Sequence, residues 1–111
     1  MAQVFHAQQL AEEAAGKAAR LVAATPRGLR SYADQVIRAS GSVALNLAEG
    51  YGRRGKDKQH HYTIAYASAR ETSSALRILT AAGAIESTAC SEVEELLDRI
   101  RAMAWRLIHQ R

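Results

Sequence analysis

Apolar residues recur along the chain at intervals of three and four, and three short breaks divide the pattern into four runs. The first run, about residues 4–24, carries Ala7, Leu10, Ala14, Ala18 and Leu21 with Val22 beside them, and Thr25, Pro26, Arg27 and Gly28 end it. The second, about 31–53, places Ala33, Val36, Ile37, Ser40, Val43, Ala44, Leu47, Ala48 and Tyr51 on one face. Such spacing is that of an amphipathic helix. After Gly52 to Gly55, a third run of about 56–82 carries Tyr62, Ala65, Ala69, Thr72, Leu76 and Leu79 and stops at Gly83. The fourth, about 91–110, is predicted to open on a capping box, Ser91 with Glu94 three residues on. Its core face is Val93, Leu96, Leu97, Ile100, Met103, Ala104, Leu107 and Ile108. No run alternates with period two and no hairpin dipeptide occurs. The expected fold is all-α, an up-and-down antiparallel four-helix bundle, because helices joined by short connections pack against their sequence neighbours.

Composition sharpens this picture. A chain of 111 residues fits one domain, and a domain of that size buries only about 60 to 70% of its unfolded surface, so a second core is not expected. Ala occurs 23 times, whereas Leu, Val, Ile and Phe together make 22 residues. Helices lined this way pack closely but bury few large side chains, so self-association is expected to add stability. The first fifteen residues lack the basic and continuous apolar regions of a signal peptide. No run approaches the roughly 18 uncharged apolar residues of a membrane span, and the lone Cys90 suits a reducing compartment. A cytoplasmic location without a membrane partner is therefore expected.

Most candidate chemistry falls away on inspection. Gly50, Gly52 and Gly55 match G-x-G-x-x-G, but that fingerprint needs a preceding strand within a βαβ unit to aim a helix at pyrophosphate. Here an amphipathic helix precedes it, so these glycines are read as closing one helix and opening the next. Four histidines occur without a Glu-x-x-His pair that would set two metal ligands on one helix face. No nucleophile motif surrounds any serine. No metal, no cofactor and no catalytic residue is expected.

Charge is more informative. Arg53, Arg54, Lys56 and Lys58 surround the second break with only Asp57 opposing them. In the expected topology His6, His60, His61, Arg106, His109 and Arg111 join them at one end, while Glu86, Glu92, Glu94 and Glu95 gather at the other. A basic end is suited to phosphate backbones; a solvated helix end that binds nothing is the plain alternative. On the second helix, Gln35, Arg38, Ser42, Asn46, Glu49 and Arg53 form a stripe nearly opposite the apolar face, with Leu45 at its margin. Its amides and hydroxyls suit contact with another polypeptide, with an ordinary exposed face as the alternative.

The stretch from Gln35 to Arg54 resembles the four-helix-bundle family first met as proteins encoded in 23S rRNA intervening sequences. The family pattern Q-x-x-R-A, a Ser, then N-I-A-E-G and a G-R turn is met by Gln35, Arg38, Ser42, Asn46, Ala48, Glu49, Gly50, Gly52 and Arg53, with Leu47 in place of Ile. Downstream, Ala65 to Glu71 resembles its A-x-G-S-x-x-E stretch through Ser68 and Glu71, with Ala67 replacing Gly. The resemblance covers roughly half of the chain. It implies a small cytoplasmic bacterial bundle that assembles as a homopentamer and has no established enzymatic activity. Nucleic-acid binding is implied by the rRNA-gene context and by a related retroelement accessory protein that contacts nucleic acid and a reverse transcriptase.

Two readings of function follow. The first is a non-catalytic oligomer that binds RNA or DNA through Arg53, Arg54, Lys56 and Lys58, assisted by Arg106 and Arg111. The second is a scaffold whose second helix recruits a protein partner such as an enzyme. A hairpin closing near residue 54 sets Arg38 level with Glu71 and Ser42 near Ser68. The first of these pairs is expected to be a partly buried ion pair that fixes register or a subunit contact; the alternative is that Glu71 is a general base.

Overall fold

The computed structural model describes residues 2–110, with side chains from residue 4 onward. Four helices, α1 (Ala2–Leu21), α2 (Arg30–Tyr51), α3 (Gly55–Ala81) and α4 (Ser87–Ile108), form the molecule, with one 3₁₀ turn, Arg27–Leu29, before α2. The described residues contain no strand. Each helix packs on its sequence neighbours and α1 closes against α4, giving an up-and-down bundle 43 × 22 × 18 Å in extent.

Seven of the eight helix boundaries shift by one to three residues, and one shifts by more. The fourth helix starts at Ser87, four residues before the expected capping box. Its N-cap is Glu86, in extended conformation and without a side-chain cap. Ser91 lies a turn inside the helix, where its hydroxyl donates to the Thr88 carbonyl at 2.7 Å, and Glu94 turns across to Arg77 at 3.4 Å. The start is set instead by the end of α3. Gly83 adopts φ +79°, Ala84 N–H donates to Leu79 O and Gly83 N–H to Thr80 O, the pattern that closes a helix on a left-handed glycine. Ile85, buried just beyond, then fixes where the chain turns back.

The core follows the apolar stripes with three corrections on α2. Ala33, Val36, Ser40, Val43 and Leu47 are buried, but Ile37 is 46% exposed, Tyr51 45%, and Ala48 is exposed too. The expected face was therefore too wide, and the part that turns outward is apolar. On α1, alanines at 7, 11, 14 and 18 are buried together with Val4 and Leu10. The one large aromatic ring in the core is Tyr62, 2% exposed.

Candidate nucleic-acid interface

The polar stripe of α2 faces α3 of the same chain. Ser68 Oγ donates to Ser42 Oγ at 3.0 Å, and the Asn46 amide donates to the Ser42 hydroxyl and carbonyl at 3.0 and 2.9 Å. Asn46 Oδ1 lies 2.9 Å from His61 Nδ1. An amide oxygen only accepts, so that nitrogen carries the proton. Gln35 donates to Glu71 and accepts from Arg38 Nη2 at 2.8 Å. The amides and hydroxyls that suited another polypeptide thus spend their hydrogen bonds inside the hairpin.

The expected ion pair takes a different form. Arg38 and Glu71 are both exposed and form no direct salt bridge; the Gln35 amide stands between them, accepting from the cation and donating to the carboxylate. The register estimate was level, but Gln35, one turn before Arg38, reaches the carboxylate first. Exposed charges linked this way contribute less than about 1 kcal/mol, not the stability of a buried pair. Glu71, the alternative general base, is an exposed side chain.

The turn between α2 and α3 is shaped by its glycines. Gly55 opens α3 at φ +59°, a backbone that side chains with a Cβ rarely adopt. Gly50 has a different task. A Cβ there would stand 2.6 and 2.9 Å from Tyr62 Cε1 and Cδ1 and 3.2 Å from His61 Cβ, so its hydrogen makes room for the buried ring.

Around this turn the cations divide. Arg53 bonds Glu49 through Nε and Nη2, at 2.9 and 2.7 Å, and reaches Asp57 at 3.0 Å through Nη1. These carboxylates raise its pKa, the Glu49 hydrogen bond most of all. It is therefore a strut across the turn and not a free phosphate ligand. The side chains of Arg54, Lys56, Lys58 and Arg106 make no hydrogen bond or ion pair with the described residues. Arg111 lies outside the described residues. The ends of α2 and α4 and the start of α3 do meet, since Gln59 Nε2 donates to Ile108 O at 3.2 Å. At the opposite end Glu92 is met by Lys17 at 2.7 Å and Glu94 by Arg77, and Arg27 and Arg30 stand there as well. The acidic counterpart is thus partly neutralised.

Two features of the basic end escaped the sequence. The Trp105 and His109 rings stack 4.0 Å apart, and Trp105 is half exposed beside Arg106. Helical spacing of four was the available signal. The second feature is an open pocket of about 530 Å³ whose lining includes the buried Val4, Tyr62 and Leu107 together with Tyr51, Lys56 and Lys58. Tyr62 Oη is buried without a hydrogen-bond partner, a condition that costs about 1 to 3 kcal/mol. Burial, and to a smaller degree Tyr51, pushes the phenol pKa up. A tyrosine in place of phenylalanine on a core stripe was the signal here, since a buried phenol ordinarily finds a partner.

Among the described residues no cluster of three metal-ligating side chains occurs, and no helix is long and apolar enough to cross a membrane. A family model described as 23S rRNA-intervening sequence protein matches residues 4–106. The fold is similar to the crystal structure of a protein with unknown function from the S23 ribosomal protein family of Bacteroides thetaiotaomicron. That likeness has a TM-score of 0.81 at 18% identity and covers 94% of this chain and 99% of the other. No curated protein matches the sequence.

Proposed function

Since the chain belongs to the 23S rRNA-intervening sequence protein family, we propose that it is a non-catalytic, homo-oligomeric bundle that binds RNA or DNA through the phosphate backbone. The observation that carries this reading is the set of unpaired cations, Arg54, Lys56, Lys58 and Arg106, at one end of the bundle. Unpaired Lys and Arg side chains release counterions when they meet phosphates, whereas Arg53, already held by two carboxylates, contributes little. No groove-reading element accompanies them, so binding is insensitive to sequence.

Self-assembly into a pentamer joins several such ends, so that weak contacts act together. The surface that supports assembly is the outward stripe of α2. Ile37 and Leu45 are 46% and 72% exposed, Gly41 has open space around it, and Ala48 lies on the same side. This apolar stripe also suits a scaffold that recruits a protein partner. A buried free thiol, Cys90, fits a cytoplasmic setting.

Trp105, the chain's single tryptophan, reports on the basic end. Titration with a mixed-sequence RNA or DNA strand is expected to quench its fluorescence, with an affinity that falls steeply as salt is added. Sedimentation is expected to show one species near five chains. Absence of binding at low salt would favour the scaffold, and a 12.1 kDa monomer would rule out assembly.

A further inference from the structure

The pocket at the basic end holds a polar group with nothing to bond. Tyr62 is 2% exposed, its hydroxyl is buried and unpartnered, and the residue lines the pocket with Lys56, Lys58 and Tyr51. Its ring meets Gly50. With Ser42 level with Ser68, Gly50 stands level with residues preceding Tyr62, so the ring has swung toward the start of α3, as helical side chains do. The hydroxyl therefore projects to the end of the bundle where Gly55, Lys56 and Lys58 stand. No carboxylate is among the described side chains that line the pocket. Asp57, the acidic residue of that first turn, is held by Arg53 and lies off the pocket.

We propose that this pocket binds a terminal phosphate group, with the Lys56 and Lys58 ammonium groups neutralising it and the Tyr51 and Tyr62 hydroxyls donating to its oxygens. The α3 N-terminus, which also lines the pocket through Gly55, adds the positive end of a helix dipole. The Tyr62 phenol suits the part as a neutral donor because burial keeps its proton on. The ligand is a chain end or a small molecule and not an internal phosphodiester. Val4, Tyr62 and Leu107 are buried lining residues and the Tyr62 hydroxyl is itself buried, which favours a compact terminal phosphate over a phosphodiester flanked by two sugars. The site stands on this geometry and does not require that the protein bind nucleic acid.

The test follows the tyrosine ring signals of the whole protein by NMR. The probes, at constant ionic strength, are inorganic phosphate, a 5′-phosphorylated oligonucleotide and its 5′-hydroxyl twin. Phosphate is expected to shift the Tyr62 and Tyr51 signals saturably, whereas chloride does not. Tyr62→Phe, which keeps the ring, is expected to weaken phosphate binding about fivefold by removing one donor. Lys56→Gln with Lys58→Gln is expected to weaken it tenfold or more, as loss of charge-assisted bonds does. Should Tyr62→Phe fail to fold, Tyr51→Phe, at an exposed position, takes its place with a smaller expected loss. A Tyr62-dependent preference for the 5′-phosphorylated strand assigns the site to strand ends. Phosphate binding with no preference between the strands, or with neither bound, assigns it to a free phosphate compound, and in the latter case the nucleic-acid reading falls while the pocket stands. Unmoved tyrosine signals, or equal phosphate affinity in the wild type and the lysine double variant, would overturn the proposal.

Discussion

The hairpin of α2 and α3 contains two stretches of polar residues that behave in opposite ways. Between Gln35 and Asn46, and across from them between His61 and Glu71, amides, hydroxyls and charges bond to one another. A few residues on, the side chains of Arg54, Lys56 and Lys58 bond to nothing described. Arg53 marks the border, drawn into the first group by Glu49 and Asp57. Polar groups that satisfy each other hold register; polar groups left over are available to a ligand. Density of polar residues in a motif therefore does not by itself leave groups free for a ligand, since those of the seam are spent on one another.

The sharpest way to break this division is at Gly50, the joint between the two stretches. Gly50→Ala puts a methyl group against the buried Tyr62 ring and is expected to cost about 1 to 3 kcal/mol by overpacking. Gly41→Ala, in the same helix but with open space around it, is expected to stabilise the isolated chain by about 0.5 to 1 kcal/mol, the usual gain of alanine over glycine in a helix. Urea denaturation of the two variants checks the opposite signs. If Gly41 lies in the contact between copies, the same change weakens assembly in sedimentation.

Within the seam, Ser68→Ala removes a nearly buried donor to Ser42 and is expected to cost about 1 kcal/mol. Arg38→Ala and Glu71→Ala are expected to cost less than that, because both groups are exposed and joined only through Gln35. Thermal melts rank the three. A loss at Glu71 larger than at Ser68 would mean that the carboxylate is buried by a neighbouring copy.

The raised Tyr62 phenol gives a pH signature with a definite sign. The folded chain holds that proton more tightly than the unfolded chain, so its contribution is complete below the ordinary phenol value of 10.0 and is lost as pH rises from there through the raised value. The wild type is expected to lose stability more steeply than Tyr62→Phe above about pH 10. Parallel alkaline profiles would show that the hydroxyl is solvated.

Much of the bundle was legible because its stripes keep a helical period: every position assigned to the α3 stripe from Tyr62 to Leu79 is buried. Helix ends were harder to read. Ser91 and Glu94 have the right identities and spacing for a cap, but the chain had already turned at Gly83 and begun a helix at Ser87. The α2 stripe was read too wide because three/four spacing does not state how much of a face a neighbour covers, and Ile37 and Ala48 fall beyond the covered part. The seam's level was readable from hairpin geometry, but which side chain would reach Glu71 was not, since Gln35 and Arg38 lie one turn apart on the same side. Tyr62 as a pocket residue was invisible from spacing, because its place on the stripe marks it only as a core residue.

The division between spent and unspent groups is tested most directly by the salt dependence of strand binding in two variants, Arg54→Ala/Lys56→Ala/Lys58→Ala and Ser68→Ala. The triple variant is expected to melt like the wild type, since Arg54 and Lys56 are exposed, Lys58 is half-buried, and none of the three side chains has a partner to lose. Its plot of log affinity against log salt should flatten by up to about one unit per lost contact. Ser68→Ala is expected to lower the melting temperature and leave that slope unchanged. A wild-type slope in the triple variant, or a flattened slope in a still-folded Ser68→Ala, would contradict the division.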